Sequence, residues 1–166
     1  LPSGALEMTD QPWGGDVVYL AASDFTTPLT LFALDLNVME LTVMRRQPQQ
    51  FVSDGIEVRQ FWAASSDGER IPYFHVGKNA APDTPTLVYA YGGFGVPELP
   101  HYLGSIGKYW LEEGNAFVLA NIRGGGEFGP RWHQAAQGIS KHKSVDDLLA
   151  VVRDLSERGM SSPKHI

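Results

Sequence analysis

The sequence predicts an α/β protein in which a parallel sheet with flanking helices follows a short antiparallel β segment. Three observations carry this. Two apolar runs, Thr86 to Ala90 and Ala116 to Ile122, each lead into a glycine-rich loop, Tyr91-Gly92-Gly93-Phe94-Gly95 and Arg123-Gly124-Gly125-Gly126-Glu127-Phe128-Gly129. Helical patterns follow both loops, and strand, helix, strand, helix is the grammar of a parallel sheet covered by helices. The first third instead breaks at roughly ten-residue intervals, the cadence of sandwiches, barrels and propeller blades.

In chain order, Asp16 to Ala22, Leu29 to Leu36 and Leu41 to Arg45 are rich in Val, Leu, Thr and aromatics and read as short antiparallel strands. Asp24-Phe25-Thr26-Thr27-Pro28 and Asp35-Leu36-Asn37 supply the turns between them. The polar stretch Arg46 to Gln50 reads as a connector, which divides the chain into an antiparallel segment, 1–50, and an α/β segment, 51–166. Glu57 to Ala63 and Arg70 to Val76 flank Ser65-Ser66-Asp67-Gly68. Asp-Gly between β-rich runs signals a hairpin because glycine accepts positive φ.

Thr86 to Ala90 is a continuous apolar run of the kind buried on both faces of a parallel sheet. Leu103, Ile106, Trp110 and Leu111 fit one face of a helix over 103–113, with Gly114 to end it. A second helix is expected from Ser144 to Arg158. Ser144 would cap the amide of Asp147, Asp146 and Asp147 would favour the positive amino end, and Val145, Leu148, Leu149, Val152 and Leu155 would face the core before Gly159 stops the helix. A further strand is expected to begin at Ile166.

Composition narrows the function. With 166 residues, 43% of them hydrophobic, the chain can bury a core. A formal charge of -6 with dispersed Lys and Arg leaves no basic footprint for nucleic acid. No apolar run approaches the ~20 residues that span a bilayer, so no membrane partner is expected. With 0 Cys there is no thiolate nucleophile and no Cys-based zinc site. His75, His101, His133, His142 and His165 lack metal-ligand spacing, and no cofactor is expected. His133, beside Trp132, is assigned structural hydrogen bonding.

Ligands gather at the carboxyl ends of parallel strands, which puts both glycine loops on the chemically active edge. In the first loop, Gly92 and Gly93 let the backbone turn sharply and leave Tyr91 and Phe94 able to reach a pocket. The Tyr91 hydroxyl is a neutral donor suited to a developing oxyanion, against the plainer alternative that both aromatics fill core. Gly124 to Gly129 also satisfies G-x-G-x-x-G, so a dinucleotide-binding, Rossmann-like domain is the alternative reading. Glu127 beside a pyrophosphate and Pro130 at the helix entry count against it. A non-catalytic interaction module is the third. No serine has the G-x-S-x-G surroundings of a nucleophile elbow, which in a hydrolase of this layout would follow the strand expected at Ile166.

Taken together, Val88-Tyr89-Ala90-Tyr91-Gly92-Gly93-Phe94, the run Ala120 to Gly129 with Trp132-His133, and Lys141 to Asp147 followed by Ser162-Pro163 resemble the prolyl oligopeptidase family of serine peptidases. The resemblance implies a partial α/β-hydrolase fold preceded by the last strands of a seven-bladed β-propeller. It implies that Tyr91 is an oxyanion-hole donor, that Phe94 lines the pocket for the residue before the cleaved bond, and that Gly92, Gly93, Arg123, Gly124, Gly125 and Gly126 shape the loops. The loop sequence and Trp132-His133 look closer to the proline-specific branch than to relatives that cut after basic residues. Gly95, where a polar residue is common, and Lys143, where Asn is frequent, depart from the pattern. The implied partner is a proline-containing peptide, cleaved through an acyl-enzyme by a Ser-His-Asp triad lying downstream. The segment alone is expected to be inactive, and an unpaired sheet edge would favour its self-association. No compartment follows from the sequence.

Overall fold

The computed structural model describes residues 4–9 and 15–166. The chain forms two compact units, one made of the chain up to Ser53 together with Leu99–Lys108, the other of Asp54–Glu98 and Tyr109–Ile166.

The first unit is a four-stranded antiparallel meander, β1 (Ala5–Met8), β2 (Val17–Ser23), β3 (Thr30–Asp35) and β4 (Glu40–Arg46), paired in chain order. Three of these are the strands expected from the β-rich runs, and β1 is an addition. Asp24 closes the β2–β3 connection by accepting from the amides of Thr26 and Thr27 at 2.8 and 2.6 Å, an Asx-type turn. Phe25, Phe51 and Leu103 are buried, and Phe51 stacks on Tyr102 with ring centroids 5.3 Å apart.

The helix expected over 103–113 is not formed as such. One α-turn, α1 (Gly104–Ile106), gives way to a π-helical turn at Gly107–Leu111. Gly104 and Gly107 weaken α-helix formation, and a tertiary contact then decides. A Cβ at Gly107 would lie 2.2 Å from the Phe51 ring, so the aromatic ring occupies the space a side chain would need. Gly114 ends the segment as expected, with φ +87° and its amide donating to Leu111 O at 3.0 Å.

The second unit holds a four-stranded sheet in the order β5 (Glu57–Ala64), β6 (Arg70–Gly77), β8 (Ala116–Ala120), β7 (Thr86–Ala90). The sheet is mixed. β5, β6 and β8 join antiparallel, and β7 and β8 are the parallel pair that the two apolar runs announced. The β5–β6 hairpin turns at Gly68, φ +85°, where Ser65 N–H donates to Glu69 O at 2.8 Å. β8 is buried at every position, as a strand covered on both faces should be. β7 departs from expectation: it lies last in the sheet order, and Leu87 and Tyr89 on one of its faces are exposed.

Two helices follow, the short α2 (Pro130–Gln134) and, after a 3₁₀ turn at Gly138–Lys141, the long α3 (His142–Glu157). Three expectations about α3 are corrected. The helix begins two residues early, so Ser144 lies in its first turn and caps nothing; its hydroxyl donates instead to Arg123 O at 2.7 Å. The inward face is Ser144, Asp147, Ala150, Val151 and Leu155, so Leu155 is buried as expected and Leu148 packs against the core, whereas Val145 and Leu149 are exposed. Asp147 is a buried partner of Arg123 and not a helix-end charge. Gly159 ends α3 with φ +66°. Residues 162–165 form a turn, and His165 O accepts from Thr86 N–H at 2.7 Å. The core of this unit gathers Ile71 and Tyr73 from β6, Val118 and Ala120 from β8, Trp132 from α2, and Val151 and Leu155 from α3.

Candidate active site

The carboxyl ends of β7 and β8 carry the two glycine loops, and the fold sets them side by side. Gly92 has φ +59°, and a Cβ there would lie 2.5 Å from the Ile122 side chain, so neither the backbone conformation nor the space admits another residue. Gly93 O accepts from Val96 N–H at 3.0 Å, closing a turn whose central residues, Phe94 and Gly95, both have positive φ, +53° and +66°. A left-handed aromatic residue costs about 1–2 kcal/mol. Packing does not repay that cost, because Phe94 is 87% exposed. Tyr91 is 44% exposed, its ring lies over Gly93, and its hydroxyl has no hydrogen-bond partner among the described residues.

The second loop braces the first through its main chain. Gly124 O accepts from Gly95 N–H at 3.1 Å and lies 2.7 Å from Nδ1 of His133; Gly124 N–H donates to Trp132 O at 3.1 Å. Trp132 Nε1 in turn donates to Ile122 O at 3.1 Å. A Cβ at Gly124 would meet Gly92 O at 2.2 Å, and one at Gly126 would meet Gly95 O at 2.1 Å. Two of the three glycines that matched a dinucleotide pattern, Gly124 and Gly126, are thus occupied by loop-on-loop packing, while Gly129 has φ +76° in open space. Glu127 adds a side-chain tie, its Oε1 accepting from Glu98 N–H at 3.1 Å and from Asn121 Nδ2 at 3.3 Å.

Arg123 anchors the base of this loop. Its side chain is almost wholly buried, and it donates through Nε and a terminal nitrogen to the two oxygens of Asp147 at 2.9 and 2.6 Å. Asp67, in the β5–β6 turn, takes a second pair of bonds at 2.6 and 3.0 Å. Ser65 Oγ and the Arg123 main-chain N–H also donate to Asp147, at 2.6 and 3.0 Å. These bonds, above all those to Asp147, raise the guanidinium pKa against the effect of burial. The bond from Arg123 likewise holds the Asp67 carboxyl well below the usual carboxylate range, with Lys143 assisting at 3.2 Å. The network ties the hairpin, the strand end and α3 into one support.

Of the residues singled out in the sequence, the structure therefore brings Gly92 against Arg123 and Gly124, and Gly95 against Gly124 and Gly126, whereas Gly93 lies under Tyr91, Gly125 faces the Glu127 carboxylate and Phe94 faces solvent. His133 makes the structural contact assigned to it. The sequence reading named Asp67 only in a hairpin turn, Ser144 and Asp147 only at a helix start and Lys141 only within a resembling run, and it missed their bracing of the loops. A signal was present for Asp147, a charge at helical spacing with Val151 and Leu155, on the face that turns inward. Among the described residues no group of three or more His, Asp or Glu converges as a metal site would require.

Residues 103–166 match the prolyl oligopeptidase family profile. An uncharacterised peptidase of Sinorhizobium fredii is 38% identical over 99% of this chain and 23% of its own length. A prolyl endopeptidase of Elizabethkingia meningoseptica is 28% identical over 90% of this chain and 21% of its own. The solved structure of a post-proline cleaving enzyme from Rickettsia typhi superposes with a TM-score of 0.87 at 33% identity, covering 98% of this chain and 24% of that one. The chain thus spans about a quarter or less of the length of these relatives. Near-complete coverage of this chain, with glycine loops interlocked as described, places it plainly: the chain belongs to the prolyl oligopeptidase family of serine peptidases.

Proposed function

We propose that the protein carrying this chain hydrolyses short peptides on the carboxyl side of proline through an acyl-enzyme, with a serine, histidine and aspartate triad supplied from outside these residues. In this reading Tyr91 donates its phenolic proton to the oxyanion of the tetrahedral intermediate. Phe94 presents a ring face to the pyrrolidine of the residue before the cleaved bond. Gly92 and Gly93 shape the Tyr91 loop, and Arg123, Gly124, Gly125 and Gly126 hold the second loop behind it. The division into a 1–50 propeller segment and a 51–166 hydrolase segment belongs to the same reading. The outward edge of β7 supports pairing with a further strand, including that of a second copy.

The observation that carries the proposal is the exposure of Tyr91 and Phe94 on a rigid loop, one hydroxyl unengaged and one ring held at positive φ, in a chain whose relatives include prolyl endopeptidases. A donor aimed at charge that exists only in the transition state raises kcat and not ground-state affinity. Tyr91→Phe in the complete enzyme should therefore lower kcat on a chromogenic proline peptide by roughly 10²-fold or more. An unchanged kcat removes Tyr91 from the chemistry.

A further inference from the structure

Lys141 ends the 3₁₀ turn before α3, and its ammonium reaches across to the Tyr91 loop. Nζ donates to Gly92 O at 2.5 Å and to Ser144 Oγ at 3.1 Å, while Ser144 Oγ donates to Arg123 O at 2.7 Å. The carbonyl it holds belongs to the Gly92-Gly93 peptide. Gly93 is also the surface under the phenol: the position a Gly93 Cβ would take lies 3.6 Å from Cε1 and Cζ of Tyr91, and 3.8 Å from the hydroxyl. Two consecutive glycines leave that peptide plane free to swing unless something outside the loop fixes it. A charge-assisted donor does so more firmly than a neutral one.

We propose that Lys141 is a positioning residue for the Tyr91 hydroxyl, acting through the Gly92 carbonyl and the Gly92-Gly93 peptide plane. This rests on Tyr91 being the oxyanion donor. Lys141 is itself exposed, and its connection to Tyr91 runs through the peptide it orients. Its own placement depends on α3, which the Asp147–Arg123 pair fixes to the base of the second loop. The helix and the turn that leads into it therefore brace both loops, α3 through Asp147 and the turn through Lys141.

The test is a double-mutant cycle in the complete peptidase, reading kcat, KM and urea midpoint with a chromogenic proline peptide. Lys141→Met should lower kcat by roughly 10- to 100-fold, the scale on which small misplacements act. KM should stay within about twofold, because the lost contact serves the transition state. Lys141→Arg, which keeps a cationic donor, should recover most of the loss. In a Tyr91→Phe background Lys141→Met should cost nothing further, since the group it positions is gone. A full-strength Lys141→Met enzyme, an arginine variant as poor as the methionine one, or a loss undiminished in the Tyr91→Phe background would each overturn the proposal. Should Lys141→Met fail to fold, Lys141→Gln carries the same cycle. If Tyr91→Phe alone leaves kcat unchanged, the reading beneath fails and takes this one with it; additive losses with Tyr91→Phe damaging overturn Lys141 only.

Discussion

Replacing Arg123 by methionine isolates what the buried network contributes. Asp147 is 0% exposed, so the variant strands a carboxylate that water cannot reach. It loses two bonds from the guanidinium but keeps two donors, Ser65 Oγ at 2.6 Å and the main-chain N–H of residue 123 at 3.0 Å. Breaking one side of a buried pair costs ~3–5 kcal/mol. The surviving donors argue for the lower end, ~3 kcal/mol, because they meet part of the carboxylate's hydrogen-bonding demand. For a chain of this size each kcal/mol moves the midpoint by about 2–4 °C, so the expected fall in Tm is about 6–12 °C. Trp132, whose indole donates to Ile122 O beside Arg123, is the natural fluorescence probe for urea and thermal unfolding. The double variant Arg123→Met/Asp147→Leu removes the stranded charge and should regain at least half of the loss, roughly 1.5 kcal/mol. A single-variant loss below about 1 kcal/mol, or a double variant no better than the single, would refute the view that stranded charge sets the cost.

Two other perturbations read separate parts of the structure. His75 is buried on β6 with Nε2 unpartnered among the described residues, and burial, aided by Arg59, pushes its pKa down to about 4. Between the ordinary value near 6.5 and about 4 the unfolded chain binds a proton that the folded one does not, so stability should fall as pH is lowered through that window, by at most ~3 kcal/mol. His75→Phe should flatten that slope in pH-resolved urea unfolding, and an unchanged slope assigns it to other groups. Gly124→Ala combines φ +102° with a Cβ 2.2 Å from Gly92 O, whereas Gly159→Ala meets only φ +66° in open space. The second should cost ~1 kcal/mol and the first at least ~2 kcal/mol by urea midpoint. Equal losses would mean that the loops do not interlock as described.

The elements the sequence announced are those whose signals are local. The Asp67-Gly68 hairpin, the three expected strands of the first unit, and the terminators Gly114 and Gly159 each depend on backbone chemistry within a few residues. What the sequence concealed was decided at a distance. Of the expected stripe Val145, Leu148, Leu149, Val152 and Leu155, Leu155 is buried and Leu148 packs against the core, yet Val145 and Leu149 face out. Arg123 reaches from the end of β8 and draws Asp147 inward, so an ion pair sets the rotation of the helix. Likewise the segment after Leu103 reads as a plain amphipathic helix until Phe51 is found where a Gly107 side chain would stand. The candidate site was legible for a related reason. Gly92, Gly124 and Gly126 are required by contacts between two loops that are each recognisable alone, while the local signals at Asp67, Lys141 and Ser144 say nothing of the distant loops those side chains brace.

That division bears on how a rigid, exposed aromatic pair is built. A side chain meant to meet a ligand cannot be held by packing its own tip, so the order has to come from the backbone beneath it. Here the Tyr91 loop places an amide and a carbonyl on partners in the second loop and in the turn before α3: Gly95 N–H on Gly124 O, and Gly92 O on Lys141. Glycine permits the close approach, and the Arg123–Asp147 pair fixes the helix that follows the cation. The left-handed strain at Phe94 is then sustained by bonds made around it and not by its own burial. Loosening any of these supports should disturb Tyr91 and Phe94 together, because both ride on the same few peptide planes.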